Sequence, residues 1–148
     1  MNELEVVENW IHDVLVADST FNGIVSGRVW KYVAKPGAID AGIYALYGLQ
    51  GADDFQGLGT VRLLTRPVYW ARVIKRGFPD SDMKIAANRL DEVLGKASRA
   101  TAQDHNGATD YMISARRIQP ISFTEDSGDP SKPIFHVGGL YRCEVSEV

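Results

Sequence analysis

Residues 60–75 constrain the fold more than any other stretch, because two kinds of side chain alternate along it for far longer than a turn allows. Val61, Leu63, Tyr69, Ala71 and Val73 share one parity, and Arg62, Arg66 and Arg72 share the other. A strand of period two puts the first set on one face and the second on the opposite face. One face therefore belongs to a core. Pro67 cannot donate a ladder hydrogen bond, so the strand must bulge there, lie at an edge or divide in two, and a bend is expected.

The arginine face also carries Leu64, Val68, Trp70 and Ile74. Two readings stand side by side: an ordinary solvated face, or a contact with another subunit, where aromatic residues and Arg are enriched. Trp70 favours the contact, since an exposed indole suits a monomer poorly.

Around this strand the pattern switches between two periods. Leu4, Val7, Ile11, Val14 and Leu15 recur at helical steps over residues 3–17, and Met83, Ala86, Ala87, Leu90, Val93 and Leu94 do so after a cap at Asp80 or Ser81. Asp18, Ser19, Asn22 and Gly23 read as breakers of the first helix. Strands are expected at 29–32, at 42–49 (apolar on both faces, hence central), at 111–123 and at 134–145, where Tyr141, Cys143 and Val145 point inward. Residues 50–59, 96–109 and 125–133 read as loops, the second beginning as a fraying helix end. The order predicts an α+β fold, a mostly antiparallel sheet of about four or five strands with two helices packed on one face, and a single domain over residues 1–148.

Composition narrows the function. A net charge of −3 and a pI near 5.6 argue against a protein that grips phosphate backbones. The lone Cys143 excludes an internal disulfide and points to a reducing compartment. No apolar run is long enough for a membrane span, and Glu3, Glu5 and Glu8 spoil a signal-peptide start, so folding in the cytoplasm is expected.

The usual chemistries find no footing. His12, His105 and His136 have no spacing that forms a local metal pair, and Cys143 alternates inward as a buried thiol. The glycines of 51–60 invite a phosphate-loop reading, but Gly-Lys-Ser/Thr is missing and Asp53 and Asp54 would repel phosphate. Those two aspartates lack the alternating oxygens of an EF-hand. Asp104 and His105 are the adjacent acid and base on which a small-enzyme reading would rest. The expectation is a non-enzyme with no cofactor and no metal.

Four segments together resemble the tail terminator, or tail completion, proteins of long-tailed bacteriophages. They are the tyrosine-bearing strand 43–49 with the glycine- and acid-rich segment 50–59 after it; Thr65-Arg66-Pro67-Val68-Tyr69-Trp70; Ala86-Ala87-Asn88-Arg89-Leu90-Asp91; and Phe135-His136-Val137-Gly138-Gly139-Leu140-Tyr141-Arg142. Their order spans nearly the whole chain, although the segments 96–109 and 125–133 are longer than that family's usual connections.

The resemblance implies a virion structural protein that forms a homohexameric ring on the head-proximal end of the tail, ends tail tube polymerisation and joins the tail to the head connector or stopper protein. The same resemblance leaves a neck or head–tail connector adaptor ring as the alternative. Assembly in the host cytoplasm and residence at the tail–neck junction would follow. A closed ring of identical copies requires two different faces per subunit. Arg62, Arg66, Trp70 and Arg72 are the expected contact residues on one of them. Gly51, Asp53, Asp54, Phe55, Gln56, Gly57 and Gly59 form the expected assembly loop. Six copies sum to a charge of about −18, compatible with a lumen through which DNA slides without specific binding.

Overall fold

The computed structural model describes residues 2–56, 62–95, 100–103 and 110–147. Six strands form one sheet in the order β1-β2-β3-β6-β5-β4, wider than expected by its short outer members. β1 (Val29–Lys31) pairs parallel with β2 (Tyr44–Gln56). β3 (Arg62–Arg76), β6 (Ile134–Glu147), β5 (Asp110–Glu125) and β4 (Ala100–Gln103) continue the sheet antiparallel.

The long strand keeps its parity. Tyr69, Ala71 and Val73 are fully buried, as are Tyr141 opposite Tyr69 and, further along β6, Cys143 and Val145. Pro67 does not divide β3; it sits inside the sheet opposite Ala52, and the expected irregularity lies in the neighbouring strand, as a register shift between Leu49 and Gly51. No described rung joins Pro67 to β6, whose pairing passes from Thr65↔Val145 to Val68↔Arg142. The missing N–H is thus absorbed by a bulge beside it and a gap across from it.

Three helices cover the odd-numbered side of β3. α1 (Asn2–Ala17) buries Val6, Val7, Trp10, Ile11 and Leu15, and α4 (Ser81–Gly95) buries Met83, Ala86, Leu90 and Leu94. Between them in sequence lies α2 (Ser19–Val25), where a break was expected. Asp18 is its cap: the carboxylate accepts the Phe21 N–H at 2.9 Å and also takes the guanidinium of Arg89 on α4. Burial of Phe21 and Val25 then outweighs the weak helical propensity of Asn22 and Gly23. On α4 the Asp80 carboxylate performs the expected capping, accepting the Met83 N–H at 2.9 Å.

Two buried tyrosines fasten this helix layer to the sheet. Tyr69 and Tyr141 are direct neighbours across β3 and β6. The Tyr69 hydroxyl donates toward Leu4 O and Glu8 of α1, and the Tyr141 hydroxyl toward Asp91 of α4, each at 3.3 Å. Burial raises both phenol pKa values above the ordinary range, with the neighbouring carboxylates adding to the shift, so the hydroxyls remain donors.

A short helix, α3 (Ala38–Ala41), packs on the opposite side of the sheet. There Ala38, Tyr44, Leu46 and Ile74 form a second apolar cluster, flanked by Trp30, Ile39, Trp70 and Ile134. The strand read at 42–49 therefore has apolar cover on both faces, but it lies second from the edge rather than at the centre. The segment 50–59 is not a loop as far as Gln56: residues 51–56 prolong β2 as rungs against β3, while Gly57 and Gly59 lie outside the described residues. Residues 100–103, read as part of a polar connection, form β4.

β5 is paired with β4 only as far as Ile113, and beyond it no described strand covers that side. Its uncovered half holds a register shift between Arg117 and Gln119, which sets Ile118 out of the ladder, and then Pro120.

Candidate interface on the outer sheet face

Even-numbered positions of β3, β6 and the start of β5 face away from α1, α2 and α4. Across this face runs a row of stacked side chains made possible by two glycines. Trp70 lies over Gly48, where an added Cβ would come within 2.5 Å of the indole and 2.6 Å of the Tyr32 ring. Tyr32 meets Trp70 edge-on at 6.3 Å between ring centres, and its hydroxyl accepts the Leu49 N–H at 3.2 Å. Tyr32 holds a left-handed backbone, φ 63°, that costs a non-glycine residue energy and here turns the ring onto the sheet.

The Arg72 guanidinium lies 4.3 Å from the Trp70 ring centre and 5.3 Å from that of Phe123, two strands away on β5. Gly138 on β6 is the residue between them, pairing with both Arg72 and Ile121. Its own place in the sheet is tight: a Cβ there would collide with the Ala71 carbonyl oxygen and lie 2.6 Å from the Arg72 Cα. Phe123 stacks on His136 with ring centres 4.2 Å apart and planes 11° from parallel, and His136 Nε2 meets Glu125 Oε2 at 2.8 Å.

The electrostatics of this row are those of one cation, the Arg72 guanidinium, held against rings. His136 is only 5% exposed, and its Nδ1 and the Arg72 Nε are buried with no hydrogen-bond partner among the described residues. Burial lowers the His136 pKa, the bond to Glu125 opposes that, and Arg72 lowers it further; the ring is neutral at neutral pH and its Nε2–H donates to Glu125. Burial also lowers the Arg72 pKa, countered by Glu125 and Tyr44, yet a guanidinium stays charged.

The expected contact residues fall into place unequally. Arg66, Trp70 and Arg72 do share this face, but the indole is half-buried beneath Tyr32 and Arg72 instead of standing free. Arg66 Nε reaches Glu144 at 3.4 Å, and the register sets Asp53 opposite it on β2. Arg62 begins β3 opposite Gln56, with its side chain outside the described residues. Sequence reasoning missed Phe123, His136, Gly138 and, above all, Arg116. The register puts Arg116 directly opposite Arg142 on the same outer face, a like-charge pair, and no carboxylate partner for either is present among the described residues.

Other candidates lead elsewhere. Cys143 is buried, and burial pushes its thiol pKa up to about 12. Asp104 and His105 lie outside the described residues. No cluster of metal-ligating side chains is found, and no helix is long and apolar enough to cross a membrane, among the described residues. A cleft of about 560 Å³ near the end of β3 is lined by Arg28, Lys75, Arg76, Asp40 and Asp80 among others, and within it Arg76 pairs with Asp40 and Lys75 with Asp80.

No family model matches the sequence, and no curated protein does. Solved structures do match the fold. A chain of the virion of a native gene transfer agent particle superposes with a TM-score of 0.64 at 15% identity, over 97% of this chain and 97% of that one. A second structure, known only by an identifier, superposes with a TM-score of 0.51 at 15% identity, over 97% of this chain and 92% of its own.

Proposed function

We propose that this chain is a structural protein of a phage-like virion, and more narrowly a tail terminator. The likeness that carries the proposal is the fold shared end to end with a chain of a gene transfer agent virion. Fold alone does not fix function. The order of the four segments that resemble tail terminators adds to it, since they form β2, β3, α4 and β6, the elements around which the sheet is built.

In this reading the copies form a ring, a homohexamer, seated on the last ring of the tail tube protein. One side imitates a tube subunit, and the other presents a different surface that receives the head connector or stopper protein. Further tube subunits then find no matching surface and growth stops. The outer face around Arg62, Arg66, Trp70 and Arg72 is a contact surface of the ring, and the β2 extension with Gly57 and Gly59 contributes to the joint. The proposed role is mechanical and needs no cofactor; DNA passes through the lumen without sequence-specific contact.

Deleting the gene tests the role. Tails of uncontrolled length are expected. Finished tails of normal length that fail to join heads would instead assign the chain to the connector adaptors, and infectious particles of normal form would remove it from the neck altogether.

A further inference from the structure

The outer sheet face holds two arginines, Arg116 and Arg142, for which no carboxylate partner is present among the described residues. Arg66 and Arg72 on β3, Arg142 on β6 and Arg116 on β5 share it with Glu144 and Glu125 and, by register, with Asp53 opposite Arg66 and Asp110 at the start of β5. Glu144 lies beside Arg66, and Glu125 is bound to His136. That leaves Arg116 and Arg142 side by side. Like charges on directly opposed strand positions destabilise a sheet. Such a pair is tolerable where something anionic covers it.

The opposite side of the molecule has the reverse imbalance. α1 carries four carboxylates and neither Lys nor Arg, and α4 carries three against Lys84 and Arg89. Several of these acids are engaged: Glu8 with Lys31, Glu92 with Arg89, and Asp91 with Arg117. Glu5 and Asp82 are exposed, and so is Asp13, with 77% of its side chain accessible. A chain of net charge −3 thus carries an acidic helix surface on one side and a local arginine pair on the other.

We infer that neighbouring copies pack head to tail, the acidic outer surface of α1 in one copy covering the Arg116–Arg142 pair of the next. This inference rests on the ring reading and specifies its contact. Two identical chains of the same net sign repel on average, and polarised faces reverse that repulsion only in one relative orientation. The contact joins two different patches, so it propagates and closes when its rotation closes. Duplex DNA is the other anion that fits arginines. It is the weaker candidate, because the acidic helix side and the net charge would oppose its approach.

Charge reversal in the full chain tests the contact. One variant carries Arg116→Glu with Arg142→Glu, the other Glu5→Lys with Asp13→Lys; all four positions are on the surface, and circular dichroism checks that both fold. By sedimentation up to millimolar concentration, the unaltered chain is expected to self-associate, with an affinity that drops about tenfold or more between low and high salt. Each variant alone should be monomeric, and an equimolar mixture should associate again.

A mixture that stays monomeric, variants that associate as the parent does, or a parent that never associates would each overturn the inference. So would an arginine variant that loses only its binding to a short DNA duplex in fluorescence anisotropy while self-association is unchanged. The terminator role is judged separately by tail length: restored association of the mixture alongside normal tails in the deletion would keep the contact and discard the role.

Discussion

The two faces of β3 answer to different demands. Tyr69, Ala71 and Val73 point into the helix layer and are fully buried, with the Tyr69 hydroxyl bonded to Leu4 O and Glu8 of α1. Trp70 and Arg72, their immediate neighbours in the chain, lie half-buried on the other side, stacked in a row that ends in exposed Phe123. The first face is packed to closure. The second is organised and yet left with open edges, as the proposed contact with another copy would require. Contrast between adjacent residues of one strand separates what holds the fold from what the fold holds out.

The sharpest way to break this contrast is at Gly138, which belongs to the outer face by parity but is as constrained as any core position. Gly138→Ala should cost about 4 kcal/mol or more, because the methyl group meets the β3 backbone and not a movable side chain. Chemical denaturation would read the loss, and a cost under about 1 kcal/mol would mean the strands part easily there. Next in size, Tyr69→Ala should cost about 4 kcal/mol and its neighbour Trp70→Ala only about 1–2 kcal/mol. Equal costs would erase the division between the faces.

Asp18 sharpens the comparison from the side of the helix layer. The hydrogen bond from Arg89 lowers its pKa below the usual 3.8, burial opposes that, and the Phe21 N–H lowers it further. A carboxyl group with a depressed folded pKa contributes stability above its unfolded pKa, and that contribution fades as pH falls through the folded value. Asp18→Asn, which keeps a cap but loses the charge, should therefore cost about 1 kcal/mol at pH 7 and less at pH 3, below the ordinary carboxylate value. Thermal unfolding at the two pH values checks it, and a constant difference would show that Arg89 does not act through the charge. Smallest of all, Arg116→Gln should leave the isolated chain unchanged or raise its stability by about 0.3 kcal/mol, by relieving the repulsion from Arg142. A measured loss above about 1 kcal/mol would mean that Arg116 has a stabilising partner within its own chain.

Periodicity made α1, α4, β3 and β6 legible in the sequence, because each buries a single face and repeats it over several turns or rungs. It failed where the deciding partner is remote. α2 looked broken at Asn22 and Gly23, but a cap from Asp18 and burial of Phe21 and Val25 decide the helix. The strand through residues 51–56 has loop composition, and its backbone is satisfied by β3 regardless of its side chains. The site divides in the same way. Trp70 and Arg72 followed from parity alone. Phe123 and His136 needed the pairing of β5 with β6, and the Arg116–Arg142 opposition depended on the side of the Ile118 register shift on which it falls. Local pattern fixes which way a side chain points; only register fixes what it meets.

The Ile118 irregularity and Pro120 have a further consequence. A long uncovered strand displays a row of free amides and carbonyls to any passing extended chain. By bending that row and deleting one of its donors, the kink and the imino acid make it a poor template for runaway fibril growth. The edge that β5 leaves uncovered is thereby guarded against pairing with another chain through its bare backbone.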